Sequence, residues 1–163
     1  MLKKWIFWWK AKNRHGIHSP FVYRFLDEGL YRKDLSHLQP NRRLLLAAVD
    51  HFEPLRAGAS PGSQQFKSWL MAERPGIQWG IPPFDLYLSD SPDENLLQLL
   101  GRPENWHDTS VVFVGNLRRN TRASTSWQKI TRLREVRVVL QTYEAGLLFF
   151  RRQQARQHFR IRI

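Results

Sequence analysis

The chain contains no cysteine. Disulfides and thiolate metal centres are therefore excluded, and a reducing compartment fits without being required. It also lacks any apolar run of the ~20 residues needed to cross a bilayer. The opening stretch Met1-Leu-Lys-Lys-Trp-Ile-Phe-Trp-Trp-Lys10 is apolar only briefly before Lys10 and Lys12, and no small-residue cleavage site follows it. That pattern is too short for a signal peptide, so the expected location is the cytoplasm, with no transmembrane segment. No internal repeat is visible. Acidic residues are scarce at both ends: residues 1–24 hold six Lys/Arg and no acid, residues 25–117 eight against twelve, and residues 118–163 twelve against two. The net charge of +12 therefore sits on the terminal segments. Basic ends of this kind point to nucleic acid, another polyanion or an anionic membrane surface as partner, against the plainer reading of a solvated basic surface.

What is present suffices for a core. Of 163 residues, 42% are apolar and 13% aromatic, including seven Trp; such a chain folds as one domain rather than staying disordered. The expected organisation is a single domain over residues 1–163, with 1–40 as a helical N-terminal extension. Residues 2–12 read as an amphipathic helix in which Leu2, Ile6 and Trp9, with Trp5, form the apolar face and Lys3, Lys4, Lys10 and Lys12 line the rest. That face would pack on the domain, associate with a second copy, or lie at a membrane interface. Ser19 before Pro20 predicts a capped helix running to about Glu28. His15 and His18 are candidate metal ligands or acid–base groups, but no acid lies near them in sequence, and local hydrogen bonding is the default.

In the centre, Asn41 would cap a helix to Phe52, with Leu44, Leu45, Ala48, Val49 and Phe52 on its inner side. Pro54-Leu-Arg-Ala-Gly-Ala-Ser-Pro-Gly62 then leads into a helix at 63–73 and has the outline of a strand-to-helix turn that seats a phosphate, a nucleotide or a nucleophile. Gly58-x-Ser60-x-Gly62 also spells a hydrolase nucleophile elbow. A triad there needs an acid and then a histidine downstream, for which His107 and His158 are the later candidates, and the chain is short for that fold. Pro75–Pro83 holds a strand, Phe84–Asp90 another, and Pro92–Leu100 a helix ended by Gly101. Ser110–Val114 reads as a buried parallel strand. Residues 123–134 form a helix with Trp127, Ile130 and Leu133 inward and Lys129, Arg132 and Arg134 outward. Val136–Tyr143 and Gly146–Arg151 read as a hairpin, and His158–Ile163 as an end strand with Arg160 and Arg162 on one face. Those arginines either guard a sheet edge or follow a phosphate backbone.

Two strings, His15-Gly-Ile-His-Ser-Pro-Phe-Val-Tyr23 and Gly146-Leu-Leu-Phe-Phe-Arg-Arg-Gln-Gln-Ala-Arg-Gln-His-Phe-Arg-Ile-Arg-Ile163, resemble the ends of a family of small bacterial class I S-adenosylmethionine-dependent methyltransferases, common in Bacteroidetes. Both ends match closely and the middle in part; family members are longer. The resemblance implies an α/β fold, a reduced Rossmann-like sheet of about five or six strands with helices on both faces and a C-terminal antiparallel hairpin. It implies S-adenosylmethionine as cofactor, with Gly58, Ser60 and Gly62 matching the turn after the first strand and Asp90 the aspartate after the fourth.

Three acidic features of that pattern are missing. Arg56 stands where the turn's acid belongs. No acid occurs between Glu73 and Asp85 to hold the ribose hydroxyls. Gly115-Asn-Leu-Arg-Arg119 replaces an acidic pair and a His-Trp after the fifth strand. The missing length falls before Phe84 and includes the third strand. A hard divalent cation wants several oxygen ligands and finds only Asp90, so no metal site is expected. The expectation is a methyltransferase-like protein with weakened or lost cofactor binding and catalysis, whose catalytic residues are not identifiable. The alternative is a non-catalytic basic module for nucleic acid, a protein partner or an anionic membrane surface.

Overall fold

In the computed structural model, which describes residues 2–11 and 17–163, the spacing of apolar residues decides which face each element buries. His15 and Lys12 lie outside the described residues. Helix α1 (Leu2–Lys10) is followed by α2 (Pro20–Arg24), which continues as π-helix over Phe25–Leu30. Ser19 caps α2 by accepting a 3.5 Å bond from the Val22 N–H, with Pro20 at the first helical position. Helix α3 (Pro40–Phe52) starts one residue before Asn41, because Pro40 itself takes the first position; Gln39 is the cap and no side chain closes it.

The rest of the chain alternates between strand and helix: β1 (Arg56–Ala59), α4 (Gln64–Glu73), β2 (Gln78–Trp79), β3 (Leu86–Ser89), α5 (Glu94–Leu100), β4 (Val111–Val114) and α6 (Thr121–Ile130). It ends with β5 (Val138–Gln141), β6 (Gly146–Phe149) and β7 (Gln157–Arg160). These strands form one seven-stranded sheet in the order β2-β1-β3-β4-β6-β5-β7. Six run in one direction, and β6 pairs antiparallel with both β4 and β5. The sheet is wider than the five or six strands expected, since the two-residue β2 and the edge strand β7 both pair. The C-terminal antiparallel hairpin is β5–β6, its turn tightened by a 2.8 Å bond from the Thr142 N–H to the Ala145 carbonyl.

Strand β4 is apolar throughout because it is covered on both sides. Val111 and Phe113 join the core shared with α2, α3 and α4, while Val112 and Val114 join that of α5 and α6. Phe25, Phe113 and Phe149 are fully buried on the first side, each contributing roughly 1.5–3 kcal/mol by leaving water. Helix α1 is oriented against expectation. Phe7 is buried, as is Ala11 just after the helix, while Trp5, Ile6, Trp8 and Trp9 are exposed. The reason lies in what the domain presents to it: Phe7 meets the Tyr143 ring edge-on at 5.7 Å, and the Arg118 guanidinium lies over both rings at 5.5 and 4.8 Å.

Candidate functional site

From β1 the chain moves outward to β2 and then returns past β1 to β3. In an open parallel sheet this reversal leaves a crevice beyond the carboxyl ends of the two central strands, where ligands bind. Ser60, Gly62 and Asp90 meet there. Ser60 Oγ and Ser63 Oγ are 2.6 Å apart, Ser63 Oγ donates to the Leu88 carbonyl at 3.1 Å, and the Asp90 N–H points to Ser60 Oγ at 3.4 Å. A Cβ on Gly62 would lie 3.4 Å from Asp90 Cβ. Asn116 Nδ2 donates to the Asp90 carbonyl at 3.0 Å and to Oδ1 at 3.1 Å, and Arg119 Nη1 donates to Oδ2 at 3.0 Å. Both carboxylate oxygens are thus engaged by the chain itself. The loop after β2, Gly80-Ile81-Pro82-Pro83, supplies no acid.

Gly58 and Arg56 stand apart from this crevice. Strand β1 begins at Arg56, so the turn is only Ser60–Ser63, and Arg56 pairs with Gln78 at the amino end of the strand. At ~3.3 Å per residue it is about 13 Å from Ser60, too far to occupy the acid's place in the turn. Gly58 lies inside the strand, where a Cβ would come within 2.7 Å of ring atoms of Phe84 and Tyr87. Its missing side chain admits those rings to the sheet face. Nor is a nucleophile elbow assembled, because His107 and His158 bond Asp85 and Gln141, away from Ser60.

A groove of about 650 Å³ lies between α1, α6 and the edge strand β7. Lys3, Lys10, Arg118, Arg132, Arg156 and Arg160 line it, and among the described residues no Asp or Glu does. Two of the guanidiniums are fixed by carbonyl groups while keeping their charge: Arg156 Nη2 donates to Thr131 and Leu133 at 2.9 and 3.1 Å, and Arg118 Nε to Tyr143 at 3.0 Å. Gln141 Oε1 accepts from Trp127 Nε1 at 3.1 Å and bonds His158 Nε2 at 2.8 Å, which makes that nitrogen of His158 the protonated one. Burial of the ring against the sheet, and secondarily Arg160, push the His158 imidazole down to about 4, although the residue as a whole is exposed. The groove's positive charge at neutral pH therefore comes from Lys and Arg alone. The sequence marks both ends as basic; that they converge on one groove is visible only in the fold.

At the opposite ends of the strands, a cavity of about 690 Å³ carries Arg24 and Arg151 together with Glu53 and Asp85, so its charges are internally balanced. Asp85 Oδ2 accepts the N–H groups of Leu55 and Arg56 at 2.9 and 2.8 Å, and Oδ1 bonds His107 Nε2 at 2.7 Å. Thr109 Oγ1 meets the other ring nitrogen at 2.9 Å. Burial alone would raise the Asp85 carboxyl, but the donors from Arg56, His107 and Leu55 outweigh it and hold the group below its ordinary value. This series ties the starts of β1 and β3 to the segment entering β4. No local pattern announces it, since Asp85 bonds partners 22 to 30 residues away.

Among the described residues no group of three or more His, Cys, Asp or Glu is placed to hold a metal ion, and His18 is exposed. Comparison with known proteins finds no family model, curated protein or solved structure that matches the chain.

Proposed function

We propose that this chain is a methyltransferase-like α/β scaffold without cofactor binding or catalysis, and that it works as a basic module holding a phosphate-bearing polyanion, such as a nucleic-acid strand, in the groove between α1, α6 and β7. The observation that carries the reading is the composition of the groove: six Lys/Arg converge and no carboxylate lies among them. Like charges gathered without internal counterions repel one another, and a bound polyanion removes that repulsion while releasing its own condensed counterions.

The crevice at β1 and β3 supports the proposed loss of cofactor binding. A missing buried hydrogen-bond partner costs about 1–3 kcal/mol, and here neither the turn nor the loop after β2 has an acid for S-adenosylmethionine. Asp90, which matches the family's pattern, already engages Asn116 and Arg119.

The test is a titration of a labelled single-stranded oligonucleotide into the native protein and an Arg132→Gln/Arg160→Gln variant, with S-adenosylmethionine calorimetry in parallel. Both side chains line the groove, and losing two phosphate contacts should weaken binding about tenfold or more. S-adenosylmethionine should give no heat. Equal oligonucleotide affinity in the two proteins, or cofactor heat at micromolar concentration, overturns the reading.

A further inference from the structure

Helix α1 lines the groove with Lys3, Ile6, Phe7 and Lys10 and presents a second, outward surface beside it. Its exposed residues include Trp5 at 76%, Ile6 at 50%, Trp8 at 45% and Trp9 at 86%. At about 100° per residue, Trp8, Trp5, Trp9 and Ile6 follow one another around an arc of about 160°. Lys10 and Lys3 come next beyond Ile6, Lys4 adjoins Trp8 on the other flank, and Phe7 points the opposite way. Phe7 is 5% exposed and, with Arg118 and Tyr143, clamps the helix to the domain. Lys4 leans over the Tyr143 ring at 5.6 Å, and Arg162 joins Lys4 and the three tryptophans around a cleft of about 340 Å³. The result is a fixed apolar strip of mainly indole surface with cations along both sides.

We infer that α1 docks this protein on an anionic lipid leaflet, lying in the headgroup plane with Trp5, Ile6, Trp8 and Trp9 directed inward and its lysines at the level of the lipid phosphates. The inference rests on the indole face of α1, which adjoins the groove at Lys3, Ile6 and Lys10. Indole side chains favour the boundary between headgroups and acyl chains, and lysines flanking such a face reach the phosphates with their ammonium groups. Among the described residues no helix is long and apolar enough to cross a membrane, so α1 lies on the leaflet.

The arrangement of charge selects this occupant over a second copy of the chain. Joining two α1 faces would bring Lys3, Lys4, Lys10 and Arg162 of both copies together, and residues 1–24 contain no acid to pair with them. A leaflet containing phosphatidylserine or phosphatidylglycerol supplies the missing negative charge over a plane, and attracts each nearby cation. Base stacking would use the indoles but leave Ile6 without a partner, whereas an acyl boundary covers the whole strip.

The experiment uses the full chain with vesicles of phosphatidylcholine alone and of phosphatidylcholine mixed with phosphatidylserine, read by co-sedimentation and by tryptophan emission. Native protein should sediment with the phosphatidylserine vesicles, shift its emission to the blue, and bind phosphatidylcholine alone much more weakly. A Trp5→Ser/Trp9→Ser variant should melt as the native protein does, since both indoles point outward, and its partition should fall about tenfold or more per indole. Absence of vesicle binding, equal binding to both lipids, or equal binding by the variant overturns the inference. So does a native dimer that the variant abolishes while vesicles bind neither protein. The Arg132→Gln/Arg160→Gln variant separates the two readings, because it should lose oligonucleotide affinity while keeping vesicle binding.

Discussion

Arg119 Nη1 lies 3.0 Å from Asp90 Oδ2, joining the loops that follow β4 and β3 across the carboxyl end of the sheet. Asn116 holds the other carboxylate oxygen and the Asp90 carbonyl. Because the Arg119 side chain is 61% exposed, the pair contributes little: Arg119→Ala should change stability by less than about 1 kcal/mol in a denaturant melt. On the proposed reading it should also leave an S-adenosylmethionine titration flat. Cofactor heat appearing in this variant would mean that the ion pair gates a competent site.

Gly58 gives a second test of how the crevice is read. A methyl group there would stand 2.7 Å from the rings of Phe84 and Tyr87, which cannot both move without disturbing Trp106, packed against each. Gly58→Ala should therefore destabilise the fold by about 1–3 kcal/mol, measured by urea unfolding. A variant as stable as the native protein would show that the rings do not fill this space.

Stability should also fall on acidification, with His158 and Asp85 contributing beside His51, whose imidazole is likewise held below its ordinary value by burial. His158 is depressed to about 4 while an unfolded histidine titrates near ~6.5, so the unfolded chain takes up a proton first. The contribution is complete above that unfolded value and declines as pH falls toward the folded one. Asp85 is also held below its ordinary value. Its contribution is present above ~3.9, the unfolded carboxylate value, and is lost as pH drops through the folded one. In thermal melts across pH, His158→Gln should make the first decline shallower, leaving the part due to His51, and leave the second unchanged. Asp85→Asn should remove the second and cost about 1.5–3 kcal/mol at neutral pH. Unaltered pH profiles in both variants would contradict these assignments.

Much of the fold is legible in local pattern. Val111–Val114 announces a strand covered on both sides, Ser19-Pro20 marks a helix start, and the Glu144-Ala145-Gly146 turn separates the hairpin strands. Arg56–Ala59 is not, because Pro54 and Gly58 break the expected β-branched run; Gly58 is there to lie under Phe84 and Tyr87, which come about 26 to 29 residues later. Helix α1 misleads for a similar reason. Its most apolar arc suggests the buried side, yet Phe7 is the residue for which Tyr143 and Arg118 form a receptor. The candidate site is half visible. Charge counting locates cations at both ends of the chain, but only the packing of α1 beside α6 and β7 makes them one groove.

The most direct test of that groove is the slope of log affinity against log salt for a single-stranded oligonucleotide. Each neutralised phosphate contributes about −0.7 for a single strand, so four to six contacts predict a slope of about −3 to −4. The Arg132→Gln/Arg160→Gln variant should bring the slope closer to zero by about 1.4, two contacts' worth. A native slope near zero, or the same slope in both proteins, would contradict the account.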